Sequence, residues 1–179
     1  MSQSTSELST GAAKSACRRS VELMAAGTVE EFAAVIAPDA VNREAGAEPP
    51  AARGRGPAAF FASAQWLRDA FDDLHWETHE LVGEDDLVCM YATMSGVHTR
   101  PFVVYGPDGR PDQVFPPTGR TFAVTQSHWF RMAGDKIIEH WANRDDQGQA
   151  LQLGWVPPTP AYLWRMRVAR RRAIQAARS

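Results

Sequence analysis

The sequence has only two cysteines and lacks the motifs that mark redox, nucleotide or metal chemistry. Cys17 and Cys89 lie far apart and outside any CxxC pair, so we expect reduced, structural thiols in a cytoplasmic protein. There is no P-loop, no Gly-rich dinucleotide turn and no nucleophile elbow. His75 and His79 share a face of a predicted strand, and most such faces are simply solvated. We therefore expect neither a metal nor a cofactor.

The sequence also has little net charge and no long apolar run. The formal net charge is -2 at pH 7, so nothing global points to nucleic acid or to a membrane. No apolar run approaches the roughly 20 residues of a membrane span. Residues 1–10 are polar and Ser-rich, without the apolar core of a signal peptide, and we expect a flexible tail there. The 179 residues, 44% of them hydrophobic and without repeats, predict one globular domain with tails.

Helical patterns occupy most of the first 70 residues. Residues 11–26 predict a helix that ends at Gly27. Thr28, with Glu31 three residues on, forms a capping box that begins a second helix, and Pro38 ends it. A short strand over 40–43 and a loop over 44–56 follow, and a third helix begins at Pro57. Its apolar stripe is expected to form core and, in a fold with an internal cavity, to roof that cavity; it includes Phe60, Phe61, Ala64, Leu67 and Phe71.

Strand patterns follow from Leu74 onward. Residues 74–82 alternate in polarity, turn, and return over 87–98. On the return strand one face carries Met90, Ala92, Met94 and His98, and the other face is also apolar, which is typical of a central strand. Residues 101–117 contain five prolines and two glycines, and predict a loop or a loose hairpin.

The stretch 121–154 predicts two strands, a tight turn and a short helix, and the rest of the chain is organised around it. Even-numbered residues from Phe122 to Met132 fall on one strand face. If Ala133 pairs with Lys136, the register sets His128 opposite Trp141, Gln126 opposite Asn143 and Val124 opposite Asp145. This mixture of polar and apolar side chains predicts the wall of a ligand cavity.

The order of elements predicts an α+β fold: a curved, mostly antiparallel sheet wrapped around the N-terminal helices, with a cone-shaped interior pocket. Residues 11–156 form the predicted domain. Residues 157–179 form a basic, Arg-rich tail with helical periodicity. We interpret it as a solvated helix packed on the domain or on a partner subunit; contact with a membrane surface or nucleic acid is the alternative.

With metal, nucleotide and nucleophile motifs absent, the polar residues of the predicted cavity wall allow acid–base chemistry. A carboxylate at Asp145 beside Trp141 would lose solvation, which raises its pKa towards a useful general acid or base. His128 on the facing strand could orient it, relay the proton or polarise a carbonyl. Two structural alternatives stay open, since Asp145 could simply cap the next helix and His128 could be a satisfied core residue.

Four segments of the chain, in order, resemble the SnoaL-like polyketide cyclase family of the nuclear transport factor 2-like (NTF2-like) superfamily of α+β cone folds. They are residues 37–42, Pro117-Thr118-Gly119-Arg120, the run from Gly134 to Trp141 with Asp145 beyond it, and the closing Gln152-Leu153-Gly154. The resemblance covers about residues 11–154. It departs from the family at Arg43, where a histidine is common, in the long 101–117 segment and in the basic tail.

The resemblance implies ring closure by intramolecular aldol condensation without metal or cofactor. An aspartate takes a proton from a carbon next to a carbonyl, and the enolate attacks a second carbonyl. Asp145 matches that aspartate, with Asp146 an adjacent competitor. Asn42 matches a polar position near the pocket, and His128 lies in the strand that supplies a pocket histidine.

Our leading hypothesis is a cyclase or related acid–base enzyme acting on a bulky, largely apolar carbonyl compound, and assembling as a homodimer or higher homo-oligomer. Asp145 and His128 are the predicted catalytic residues, whereas Trp129 points away from the pocket in this register. The predicted substrate contacts are Asn143, Trp141, Gln126, Asn42, Phe60, Phe61, Trp66, Met90 and His98. The alternatives are a non-catalytic small-molecule-binding or dimerisation module, and a dehydratase, isomerase or epoxide hydrolase.

Overall fold

A computed structural model describes residues 2–177, with side chains described for residues 11–177. The helices are α1 (Ser2–Ala26), α2 (Val29–Val35), α3 (Gly56–Arg68), α4 (Asp146–Leu153) and α5 (Pro160–Ala176). The strands are β1 (Ile36–Asn42), β2 (Phe71–Glu84), β3 (Leu87–His98), β4 (Phe102–Tyr105), β5 (Pro111–Phe115), β6 (Thr121–Ala133) and β7 (Lys136–Arg144). The predicted flexible tail falls on residues 1–10, whose side chains lie outside the described part, and it stays a prediction.

Five strands form one curved sheet in the order β1-β7-β6-β3-β2, and β4 and β5 form a separate hairpin. β1 runs parallel to β7, and the other pairs in the large sheet are antiparallel. The first three helices pack on the concave side, where the even-numbered residues of β3 and β6 are buried against them. The core includes Phe32, Met90 and Phe130. The expected α+β cone is confirmed.

Two segments differ from the sequence-based expectation. The second helix ends at Val35, and Ile36 is already extended at φ -103° and ψ 132° and begins β1; Pro38 disfavours helical backbone at Ala37, the next residue. Residues 44–56, predicted as a loop, contain two 3₁₀ turns, Ala45–Ala47 and Pro50–Arg53. Residues 101–117, predicted as a loop or a loose hairpin, contain the hairpin of β4 and β5.

A one-residue bulge in the β6–β7 hairpin overturns the predicted register. Gly134 takes the expected positive φ of 63° in the turn, and Ala133 pairs with Lys136. Two residues further along β7, however, Ile138 has no partner, because Met132 pairs with Ile137 and Arg131 with Glu139. One extra residue moves every later side chain to the other face of the sheet.

The predicted pairings of residues 124–128 are therefore wrong. His128 lies opposite Ala142 rather than Trp141, and Gln126 lies opposite Arg144 rather than Asn143. Val124 is not paired with Asp145, whose backbone N–H donates to Thr125 O. As a result His140, Ala142 and Arg144 reach the interior, whereas Trp141 and Asn143 do not.

The basic C-terminal helix packs on the domain, as the simpler interpretation of its sequence predicts. The Tyr162 hydroxyl donates to Pro116 O at 3.0 Å, and Arg165 Nη2 donates to Pro117 O at 3.0 Å. Further along α5, Arg170 Nη2 lies 3.7 Å from the Asp112 carboxylate on β5. Within residues 2–177, no helix combines the length and the apolar character needed to cross a membrane.

Candidate active site

The concave side of the sheet encloses a cavity of about 360 Å³. This volume suits one small organic molecule. One end is aromatic, because Trp66 lies against Phe102 with ring centroids 4.7 Å apart and Trp155 stacks on Phe115 at 4.3 Å. The opposite wall carries most of the polar groups.

Four polar side chains from three adjacent strands form a continuous row along that wall, in which the polar atoms of neighbouring side chains lie within hydrogen-bond distance. We call Gln126, His128, His140 and Asn42 the histidine row. His128 Nε2 lies 2.9 Å from Gln126 Oε1, and His128 Nδ1 lies 3.0 Å from His140 Nε2. His140 Nδ1 lies 3.0 Å from Asn42 Oδ1. All four side chains line the cavity.

Local strand geometry explains why these residues meet. Gln126 and His128 lie two apart on β6, so they share the buried face. The bulge at Ile138 turns His140 to that same face, and the parallel pairing of β1 with β7 sets Asn42 beside His140. The row therefore depends on the bulge as much as on the alternation of β6.

Both histidines are neutral at pH 7, because the cavity wall is poorly solvated. Burial, and then the charge of Arg144, lower the pKa of His128 to about 4. Burial, His128 and Arg144 in turn lower the pKa of His140 well below its usual 6.5. The rings are flanked by Phe130, 5.0 Å from His140 between centroids, and by Phe60 at 6.3 Å. A neutral imidazole is able to accept a proton from a substrate.

The row continues into a second polar group that the sequence analysis did not single out. Asn42 Nδ2 donates to Ser63 Oγ at 3.4 Å, and the Ser63 hydroxyl donates to the Glu48 carboxylate. Glu48 is buried, and burial raises the pKa of its carboxyl. Nearby, Arg144 Nη2 lies 3.4 Å from the Glu44 carboxylate.

Two residues of this site, Glu48 and His140, were not predicted from the sequence. Glu48 lies in the 44–56 segment, which has no strand or helix period that would orient its side chains. His140 was missed because of the bulge, and the adjacent apolar pair Ile137 and Ile138 is the sequence signal for it. Strict alternation would place one of them in solvent, yet Ile137 is buried and Ile138 packs against the core.

The predicted site residues divide into two groups. Five side chains line the cavity as expected: Gln126, His128, Asn42, Phe60 and Trp66. Six do not line it: Asp145, Asn143, Trp141, Met90, His98 and Phe61. Their predicted placement at the cavity is wrong, and the bulge accounts for those on β7.

Asp145 is the main correction. It is the N-cap of α4, and its Oδ1 accepts the Gly148 backbone N–H at 2.8 Å. The side chain is exposed and does not lie beside Trp141 on the cavity wall. Helix capping, the structural alternative considered for this residue, describes what its carboxylate does. The catalytic role of Asp145 stays a prediction; its neighbour Asp146 lines the cavity.

The other displaced residues have structural surroundings of their own. Trp141 stacks on Trp129, with centroids 6.2 Å apart, on the convex face of the sheet. Phe61 packs edge-on against Phe32, and Met90 is fully buried. His98 lies between Phe71 and Trp155, 5.4 and 5.2 Å from them between centroids.

Comparison with known proteins decides the family. The model of the SnoaL-like polyketide cyclase family matches residues 14–153. The chain belongs to that family. Aklanonic acid methyl ester cyclase DnrD of Streptomyces peucetius is 32% identical over 144 residues, which cover 80% of this chain and 91% of DnrD. DauD of Streptomyces sp. (strain C5), another aklanonic acid methyl ester cyclase, is also 32% identical over 144 residues, 80% of this chain and 82% of DauD.

Solved structures of other SnoaL-like and NTF2-like proteins agree with this fold. TsrD from Streptomyces laurentii superposes with a TM-score of 0.65 at 20% identity, covering 80% of this chain and 96% of TsrD. IdmH from Streptomyces antibioticus gives a TM-score of 0.58 at 25% identity, covering 78% and 96%. The family and the NTF2-like α+β cone expected from the sequence are both confirmed.

Proposed function

We propose that this SnoaL-like protein closes a ring in a bulky, largely apolar carbonyl compound by cofactor-independent, aldol-type condensation. The observation that carries the proposal is the histidine row on the wall of an otherwise mainly apolar cavity. The 32% identity to two aklanonic acid methyl ester cyclases supports a polyketide-like substrate.

His128 is the proposed base. When its proton is on Nδ1, that N–H donates to His140 Nε2, and Nε2 is left unprotonated, facing Gln126 Oε1, which is an acceptor and has no proton to give it. The substrate C–H bond next to a carbonyl breaks, the proton moves to Nε2, and the electron pair stays on the substrate as an enolate. The enolate carbon attacks a second carbonyl, and the new alkoxide takes the proton back. A pKa of about 4 makes His128 about as basic as an ordinary carboxylate.

Gln126 is the proposed donor to the enolate oxygen. Its Nε2 donates to the Met94 thioether, at 3.2 Å, and sulfur is a weak acceptor that a substrate oxygen can replace. The aromatic end of the cavity, with Trp66, Phe102 and Phe115, would hold the apolar body of the substrate.

Asp145 remains the second candidate for proton transfer, because the family resemblance implies it. To act, its carboxylate would have to exchange the Gly148 N–H for a substrate group. Asp145 accepts the Gly148 N–H, and the His128 ring nitrogens lie 2.9 and 3.0 Å from Gln126 Oε1 and His140 Nε2 rather than beside the Asp145 carboxylate. These two residues therefore do not form the His–Asp dyad expected of a dehydratase.

Turnover of aklanonic acid methyl ester, followed by chromatography, tests the assignment. His128→Gln should lower kcat at least about 100-fold, the usual contribution of a general base. Asp145→Asn should lower kcat less than about tenfold, and Asp145→Ala should cost about 1 kcal/mol of folding free energy through the lost cap. If Asp145→Asn abolished turnover while His128→Gln kept it, Asp145 would be the base.

The outward position of Asp145 favours one other function, a non-catalytic small-molecule-binding module. That function predicts that the wild-type protein binds aromatic polyketides without converting any of a panel. Wild-type conversion that His128→Gln abolishes, with ligand affinity retained in the variant, would rule it out.

A further inference from the structure

The histidine row has a hydrogen-bond acceptor at each end, Gln126 Oε1 at one and Asn42 Oδ1 at the other. Gln126 Oε1 accepts the Trp76 indole N–H, 3.2 Å away. Asn42 Oδ1 accepts the Glu44 backbone N–H at 3.1 Å, and Asn42 Nδ2 faces Ser63 Oγ. These outside partners fix which amide atom points at each imidazole, independently of the tautomers.

The row is consequently one proton short when both imidazoles are neutral. Its three contacts, from Gln126 through His128 and His140 to Asn42, each need one N–H. Two neutral imidazoles supply two N–H groups. One contact of about 3 Å is therefore left with two lone pairs facing each other, and one added proton completes the row.

The two ends of the row differ in freedom. Asn42 is held on both sides, by the Glu44 N–H and by Ser63. Gln126 accepts the Trp76 N–H, but its amide nitrogen donates to the Met94 sulfur, a weak acceptor, so Gln126 can adjust at lower cost. The unfilled contact therefore falls between Gln126 and His128, which requires the Nδ1–H tautomer on both histidines and leaves His128 Nε2 bare.

We propose that His128 and His140 accept the substrate's proton as a single unit, in which His140 and Asn42 are positioning residues that keep His128 Nε2 free. The proton-transfer step rests on the function proposed above, whereas the tautomers of the two histidines follow from the hydrogen-bond geometry alone. Proton transfer to Nε2 breaks the substrate C–H bond, leaves its electron pair in the enolate and completes all three contacts. The proton returns to the product alkoxide, so the balance closes.

The charges around the pair set how many protons it can hold. Arg144 of β7 opposes protonation, but it lies 3.4 Å from the Glu44 carboxylate and 3.6 Å from that of Asp146 on α4. Glu48 lies beyond Ser63 and Asn42, while Phe60 of α3 and Phe130 of β6 offer no charge. A second proton would put two cations on rings in direct contact, so the pair accepts one.

Nitrogen-15 NMR of histidine-labelled protein at pH 7.5 tests the tautomers directly, because protonated and bare ring nitrogens have distinct shifts. Wild-type protein should show Nδ1–H on both His128 and His140. In Asn42→Leu the end acceptor is lost, so two protons satisfy both remaining contacts, and both histidines should switch to Nε2–H. His128 lies two contacts away from the substituted residue. If Asn42 had only a structural role, its substitution would not change the tautomer of His128. His79→Gln, on the convex face, is the control.

Asn42→Asp keeps the acceptor and gives a second variant if Asn42→Leu fails to fold. It should retain both Nδ1–H tautomers and move the protonation of the pair to higher pH, since it adds a negative charge. Asn42→Leu should also lower kcat at least about tenfold, with less effect on KM, because Nε2 becomes a donor. An Nε2–H tautomer at wild-type His128 overturns the proposal. Correct tautomers in a protein that converts no substrate would overturn only the proposed function.

Discussion

The two faces of the β6–β7 hairpin carry side chains of opposite character, one residue apart along the same strands. The concave face holds His128 and His140, which are buried and neutral at pH 7. The convex face holds the Trp129–Trp141 stack, with the Arg43 guanidinium 5.2 Å above the Trp141 ring. Which set reaches the cavity is decided by the single unpaired residue Ile138. A bulge thus determines the chemistry of this site as directly as the identity of its residues.

The environments of the two faces differ as much as their side chains. Groups on the concave face lose solvation, which is the first cause of the lowered histidine pKa values. On the convex face Arg131 pairs with Asp86 at 2.8 Å, with both side chains more than 40% exposed. Exposed pairs of this kind contribute little to stability. Substitutions on the concave face should therefore have the larger effects.

The largest effect is expected from inserting one alanine between Arg131 and Met132 of β6. The added residue gives Ile138 a partner, so the ladder becomes regular and the side chains on one side of the insertion turn to the opposite face of the sheet. If the longer part of the hairpin turns over, the rings of His128 and His140 leave the cavity. We expect loss of turnover and a marked drop in the urea midpoint.

Deletion of Ile138 is the matched control, because it also removes the bulge but leaves the pairs Met132–Ile137 and Arg131–Glu139 in place. It should retain His140 in the cavity and most of the turnover. An insertion variant as stable and as active as the deletion variant would show that the bulge does not set the face.

Stability should depend on pH through the buried histidines of the concave face. An unfolded histidine has a pKa near 6.5, whereas folding lowers the pKa of His128 to about 4. Below pH 6.5 the unfolded chain therefore binds more protons, and the free energy of unfolding falls as the pH drops towards 4. From pH 7 to pH 5 the loss attributable to His128 is about 2 kcal/mol.

Urea unfolding of the wild type and of His128→Gln at pH 7 and pH 5 measures this loss. His128→Gln should lose less stability than the wild type over that interval. The matched control is His79→Gln, which removes an exposed imidazole of the convex face, bonded to Thr93 Oγ1 at 2.7 Å. An equal loss in wild type and His128→Gln would show that His128 is not held neutral by its burial.

Features that depend on residues close together in the sequence could be predicted, whereas features that depend on tertiary packing could not. Capping at Thr28, the turn at Gly134 and the alternation of β6 are local, and the structure has all three. The bulge depends on how β7 packs against both β6 and the core, so alternation alone placed Trp141 and Asn143 on the wrong face. Glu48 reaches the cavity from a segment without period, which only tertiary packing positions. The sequence therefore predicts the fold, but it predicts only about half of the residues that line the site.

The last and smallest effect is expected on the convex face. The homodimer expected from the sequence stays a prediction, and the Trp129–Trp141 stack is an apolar feature of the face that lies away from the helices. Trp141→Ser should change turnover per chain by less than about twofold and stability by less than about 1 kcal/mol, since its ring is only partly buried. If the convex face joins two copies, the same variant sediments as a monomer where the wild type sediments as a dimer. A Trp141→Ser variant that lost turnover as a folded protein of unchanged mass would show that the two faces are coupled, and that the convex face contributes to positioning His140 on the next position of β7.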